Sequence, residues 1–163
     1  MKRLIAALLI LISTQASAEP NYDIATIFPE VNCMALNIYY EARSSNLADK
    51  VAVANVVLNR VQDTRYPNTV CDVVYQGKQD DNGNMVRDAC QFSWYCDGKP
   101  DRPKNKDLWI ESQMIAWNII QDGKYRGLVE GATHYHATYV DPRWAKTLQL
   151  VGRVGSHIYY RWE

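Results

Sequence analysis

Glu41 stands in the segment Asn37-Ile-Tyr-Tyr-Glu-Ala-Arg43, just ahead of the apolar run Val51-Ala-Val-Ala-Asn-Val-Val-Leu-Asn-Arg60. A carboxyl group placed between aromatic rings and a buried helix loses hydration. Desolvation disfavours its charged form, so its pKa rises from the ordinary Glu value of about 4.3. A carboxyl that keeps its proton near neutrality can act as the general acid in glycosidic bond cleavage. The competing reading is a solvated carboxylate at a helix end, or the partner of Arg43.

Other residue types fit a polar, ring-shaped ligand. Gln91, Ser93 and Trp94 cluster between Cys90 and Cys96 and offer an amide, a hydroxyl and an indole, suited to N-acetyl groups and sugar faces. Trp94 could equally anchor its loop on the core. Asn59 and Arg60 could line the same groove or cap the helix that carries them. His134 and His136 flank Tyr135 and, on a strand, would point to one side. That is a metal-ligand spacing, and with Glu41 or Asp141 the pair could hold zinc; the alternative is substrate contact or structure. His157 reads as structural. Tyr40, beside Glu41, completes the candidate contacts.

Two carboxylates are usual in glycosidases, separated by about 5 to 5.5 Å for retention or 6.5 to 9.5 Å for inversion. The acid nearest to Glu41 in sequence is Asp49, which reads as part of a helix cap. A transglycosylation escapes the requirement, because a hydroxyl of the substrate replaces water as nucleophile.

Several elements must position these groups. A first helix is expected from about Glu30 to Arg43, with Val31, Met34, Ile38 and Ala42 on one face and Glu41 at its edge. Asn46 reads as an N-cap with Asp49 in the capping-box position. The helix that follows, to about Val61, is apolar almost all round and therefore buried on several sides. A short helix should start at Thr69 and end near Tyr75. From Gln76 to Pro103 the Gly, Asp and Asn content and the turn Asp81-Asn-Gly-Asn84 predict a small β hairpin, and a groove between it and the helices. A longer helix is expected from about Asn105 to Asp122, ended by Gly123. Extended stretches follow around Thr133 to Tyr139 and His157 to Trp162.

Composition narrows the setting. Lys2-Arg3, the apolar stretch Leu4 to Ile12 and Ala16-Ser-Ala18 form an export signal, with cleavage expected after Ala18. The apolar stretch is shorter than the roughly 20 residues that span a bilayer, so no stable membrane insertion is expected after cleavage. Residues 19–163 are then one domain. The full chain has 18 Lys plus Arg against 18 Asp plus Glu, and loss of Lys2 and Arg3 leaves a slightly acidic protein. That balance provides no basic stripe for nucleic acid or anionic lipid. Five Trp and eleven Tyr against two Phe favour rings with polar edges. Four cysteines in an exported chain imply two disulfides; Cys33–Cys71 with Cys90–Cys96 is the favoured pairing, because the second closes a short loop around Gln91 to Trp94.

Four blocks resemble the SleB/CwlJ-type cell wall hydrolases, the family of spore cortex-lytic enzymes and related endolysin domains. They are Asn37 to Val61, with Glu41-Ala-Arg43, Ala52-Val-Ala54 and Asn59-Arg60; Tyr66 to Tyr75 followed by Cys90-Gln-Phe-Ser-Trp94; Gly131-Ala-Thr-His-Tyr-His136; and Pro142-Arg-Trp-Ala145 with Gly152 to Arg161. Ser44-Ser45 departs from the Gly-Glu that many relatives carry after Arg43. The resemblance implies a lysozyme-like α+β fold, a mainly helical lobe with a small β region flanking a substrate groove. It also implies cleavage of the β-1,4 bond from N-acetylmuramic acid to N-acetylglucosamine in peptidoglycan, with Glu41 catalytic and no metal or organic cofactor. The expected partner is the glycan strand, met by a periplasmic or extracellular monomer. The expected substrate contacts are Tyr40, Asn59, Gln91, Ser93, Trp94, His134, Tyr135 and His136. The alternatives are a zinc-dependent N-acetylmuramoyl-L-alanine amidase and a non-catalytic peptidoglycan-binding domain.

Overall fold

A computed structural model describes residues 24–163, so the expected export signal and cleavage after Ala18 lie outside the described residues. Among the described residues there are five α-helices: α1 (Ile24–Ile27), α2 (Pro29–Ala42), α3 (Leu47–Gln62), α4 (Val70–Val74) and α5 (Lys106–Ile120). Strands β1 (Gly77–Gln79) and β2 (Met85–Cys90) form the expected hairpin. Strands β3 (His134–Ala137), β4 (Gln149–Val154) and β5 (His157–Arg161) form an antiparallel sheet in the order β3-β5-β4.

Caps set the helix boundaries. The Asn46 side chain accepts from the Asp49 amide at 2.9 Å, Thr69 from Asp72 at 3.1 Å and Asn105 from Leu108 at 3.0 Å, each satisfying a donor that the first helical turn leaves unpaired. Pro29 opens α2, where a missing amide hydrogen costs nothing. Asp49 departs from the capping-box expectation: its amide is capped, but its carboxylate turns away to the β4–β5 turn.

The all-round apolarity of α3 has a direct structural cause. One face, with Val51, Ala54 and Val57, packs into the main core against Met34, Ala35 and Ile38 of α2 and Ile115, Ala116 and Ile119 of α5. The opposite face, with Ala52 and Val56, packs on Val129, Ala132 and Tyr159 of the C-terminal sheet region. Each Val so enclosed contributes roughly 1.5 kcal/mol or more of transfer free energy. These contacts hold the sheet against the helices.

Both expected disulfides form. Cys33–Cys71 joins α2 to α4, and Cys90–Cys96 ties the end of β2 to the 3-10 helix Ser93–Cys96. The expected groove forms with Gln91, Phe92 and Ser93, which follow the hairpin, facing the helices, and the C-terminal region adds His134 and Tyr135 of β3 and Trp144 to its lining. Strand β4 is an addition to the expected elements: Gly152 sits at a register shift in it and reads in sequence as a breaker. Among the described residues no helix is long and apolar enough to cross a membrane.

Candidate active site

Glu41 lies in the last turn of α2 and faces β3, where the Tyr135 hydroxyl donates to its Oε2 at 2.9 Å. The two residues line a cleft of about 300 Å³ with Arg60, Gln91, Phe92, Ser93, His134 and Trp144. Burial raises the Glu41 pKa above the ordinary carboxylate range, while the Tyr135 hydrogen bond and the nearby His157 and Arg60 side chains only partly offset it. Burial and the Glu41 charge push the Tyr135 hydroxyl well above its usual pKa, so it remains a donor. Among the described residues that line this cleft, Glu41 is the only carboxylate.

A buried polar cluster supports Tyr135 from behind. Asp49 accepts from the Ser156 amide at 3.0 Å and the Ser156 hydroxyl at 2.6 Å, and its Oδ1 lies 2.7 Å from Nδ1 of His157. An ionised carboxylate can only accept, so Nδ1 carries the hydrogen toward Asp49. The His157 ring meets the Tyr135 ring edge to face, with centroids 5.2 Å apart. Gly155 makes room for this cluster: it has φ of +55°, and a Cβ there would come within 2.6 Å of the Asp49 carboxylate. The Asp49–His157 pair therefore ties β5 to α3, and β5 in turn pairs with β3, the strand that presents Tyr135 to Glu41.

Arg60 is 5% exposed and sits between the Tyr66 and Phe92 rings, each centroid 5.2 Å from its guanidinium carbon. Its Nε donates to the Thr133 carbonyl at 2.8 Å, tying α3 to the start of β3. A positive charge so placed favours the ionised form of Glu41 once a proton has left.

Of the expected site residues, Gln91, Ser93, His134 and Tyr135 join Glu41 in the cleft, and four do not line it. Tyr40 is one residue from Glu41 but about 100° away around the helix, and it stacks on Trp94 at 4.8 Å instead. Trp94 is 7% exposed and its indole donates to Asn37 Oδ1 at 3.2 Å, so it anchors the loop. Asn59 donates to the carbonyls of Val129 and Ala132, a structural fastening between α3 and the C-terminal loop. His136 stacks on Tyr160, with Nδ1 2.9 Å from the Ala137 carbonyl and Nε2 3.0 Å from the Tyr160 hydroxyl. Both of its nitrogens are thus engaged, and no group of three His, Cys, Asp or Glu side chains among the described residues is arranged to hold a metal.

Arg60 lines the cleft, the groove-lining one of its two readings from sequence, and Trp144 is an addition to the expected contacts. Trp144 packs near both His134 and His136, at 5.4 and 5.6 Å between ring centroids. The Pro142-Arg-Trp-Ala145 block is the sequence signal that holds it. The placement of Trp94 gives a first prediction: Trp94→Phe should destabilise the fold by about 1 to 3 kcal/mol, because the buried Asn37 amide loses its indole partner. A thermal melt with no loss of stability would contradict the anchoring role.

The sequence model of the family described as Cell Wall Hydrolase matches residues 44–160, so Glu41 stands just ahead of the matched segment. A spore cortex-lytic enzyme of Bacillus cereus is 23% identical over 134 residues, which cover 80% of this chain and 43% of that enzyme. The chain therefore spans less than half the length of this curated relative. The catalytic domain of the germination-specific lytic transglycosylase SleB from Bacillus anthracis superposes with a TM-score of 0.60 at 22% identity, covering 88% of this chain and all of that domain. The catalytic domain of Bacillus cereus SleB gives 0.56 at 24% identity, covering 81% and 89%. The shared architecture is the lysozyme-like α+β fold.

Proposed function

The chain belongs to the cell wall hydrolase family, and from that premise we propose that it is an exported peptidoglycan-cleaving enzyme, a lytic transglycosylase acting on the β-1,4 bond between N-acetylmuramic acid and N-acetylglucosamine. The observation that carries this reading is a lone cleft carboxyl with a raised pKa, Glu41, held by the Tyr135 hydroxyl. A protonated Glu41 gives its proton to the glycosidic oxygen as the bond to muramic acid C1 breaks. The resulting carboxylate takes the proton of the muramic acid C6 hydroxyl as that oxygen bonds to C1 and closes a 1,6-anhydro ring. Glu41 ends protonated, so the cycle needs neither a second carboxylate nor water. The similar SleB domain from Bacillus anthracis is a lytic transglycosylase, which supports the reading.

The surrounding residues have roles consistent with this sequence of steps. Tyr135 and Arg60 stabilise the carboxylate formed after the first transfer, a state whose burial would otherwise be costly. Gln91 and Ser93 project exposed amide and hydroxyl groups into the cleft, suited to the N-acetyl groups of the strand. Zinc-dependent amidase chemistry draws less support, since His136 is committed to Tyr160 and Ala137.

The pH dependence tests the assignment of the acid. Activity should be lost as pH rises through the pKa of Glu41, because the proton needed for the leaving oxygen is then gone. The Tyr135 hydrogen bond lowers that pKa. Tyr135→Phe removes it, so the alkaline limb of the pH–rate profile should move to higher pH while turnover falls by up to about tenfold, the worth of one hydrogen bond. An alkaline limb that stays in place would assign it to some other group.

A further inference from the structure

A second hollow, lined by the Tyr40–Trp94 pair, has a volume of about 850 Å³ against about 300 Å³ for the cleft. Successive residues serve the two hollows: Glu41 and Ser93 line the cleft, whereas Tyr40 and Trp94 line the second. Its aromatic side is a stacked pair, with centroids 4.8 Å apart and planes at 17°. Its outer wall is fastened, because the Tyr39 hydroxyl accepts from the amides of Lys104 and Asn105 at 3.0 Å each. The Tyr40 hydroxyl is buried and has no hydrogen-bond partner among the described residues.

Charge then selects the ligand. Arg43, Arg102 and Lys104 are exposed at the rim and form no ion pair with the described residues, whereas Lys99 is paired with Asp97 at 2.8 Å. Asp101 also lines the hollow without an ion-pair partner among the described residues. A glycan strand of N-acetylated sugars with amide-linked stems is uncharged and has nothing to offer three cations without carboxylate partners. The charges of peptidoglycan are on its peptides. We propose that this hollow takes the stem peptide of the muramic acid residue seated beside Glu41, a short peptide bearing several carboxylates and one amine. Its carboxylates meet Arg43, Arg102 and Lys104, and its amine meets Asp101. The inference rests on the glycan-cleavage reading, which places a muramic acid next to this wall.

The test compares two substrates, glycan strands carrying tetrapeptide stems and the same strands stripped of stems by an amidase and then amidated at the lactyl carboxylates that stripping frees. The wild-type protein should prefer the stem-bearing strands, through a lower KM. In the Arg43→Gln, Arg102→Gln, Lys104→Gln triple variant that preference should fall by about three- to tenfold, the order expected for losing a few exposed charge contacts. Raised salt should erode the wild-type preference in the same direction. Wild-type protein indifferent to stems, or a triple variant with the wild-type preference, would overturn the proposal. Failure of the cleavage reading shows separately, as retained activity of Glu41→Gln on either substrate.

Discussion

Glu41→Gln is expected to lower turnover on purified sacculi by about 10² to 10⁴, the usual contribution of a general acid or base. The amide keeps the shape of the carboxyl and can still accept from Tyr135, but it can neither give nor take the catalytic proton. Stability should move the other way. A carboxyl whose folded pKa is raised above its unfolded value contributes stability below the unfolded pKa and loses it as pH rises through the folded one. At neutral pH the Gln variant is freed of that burden, so its melting temperature should equal or exceed that of the wild type. Loss of activity together with a collapsed melt would instead make Glu41 a structural residue.

Asp49→Ala should cost about 3 to 5 kcal/mol of unfolding free energy, the range for removing one partner of a buried pair. The change strips His157 Nδ1 and both Ser156 donors of their acceptor at a site sealed between α3 and the β4–β5 turn. Burial alone would raise the Asp49 pKa, but the hydrogen bonds from His157 and Ser156 outweigh it and hold the carboxyl below its usual range. With the folded pKa depressed, the contribution is present above the unfolded Asp value of about 3.9 and is lost as pH falls through the folded one. Urea titrations across that range should show an acid limb in the wild type that is shallower in Asp49→Ala, since Asp63, Asp80 and Asp97 also have lowered pKa values. A loss under about 1 kcal/mol would mean that the cluster is dispensable. Asp49→Asn, which keeps the volume, separates the lost charge from the cavity.

The helices are legible in sequence because their ends carry local chemistry. Asn46, Thr69 and Asn105 each cap within three residues of themselves, and Gly123, at φ of +66°, follows α5. The edge position of Glu41 on α2 follows from periodicity alone, and Gln91 and Ser93 from their place inside a short disulfide loop. What escapes a sequence reading depends on long-range pairing. Asp49 and His157 are 108 residues apart, and nothing near either indicates the other; a capping role satisfies the local pattern around Asp49. Adjacency in sequence groups Tyr40 with Glu41, although a helix turns adjacent residues to different faces. Trp94 is ambiguous for a different reason. An indole on a clamped loop suits a sugar face and a core equally, and the position of Asn37 on another element makes the choice.

If one carboxyl cleaves the glycan strand by intramolecular ring closure, mass spectrometry of muropeptides released from purified sacculi will show it in the new chain ends. Fragments that end in 1,6-anhydro-N-acetylmuramic acid are expected, absent when Glu41→Gln is used and unchanged by a metal chelator. Fragments with reducing muramic acid ends would establish hydrolysis in place of ring closure. Free stem peptides released from intact glycan would rule out glycan cleavage and establish amidase chemistry.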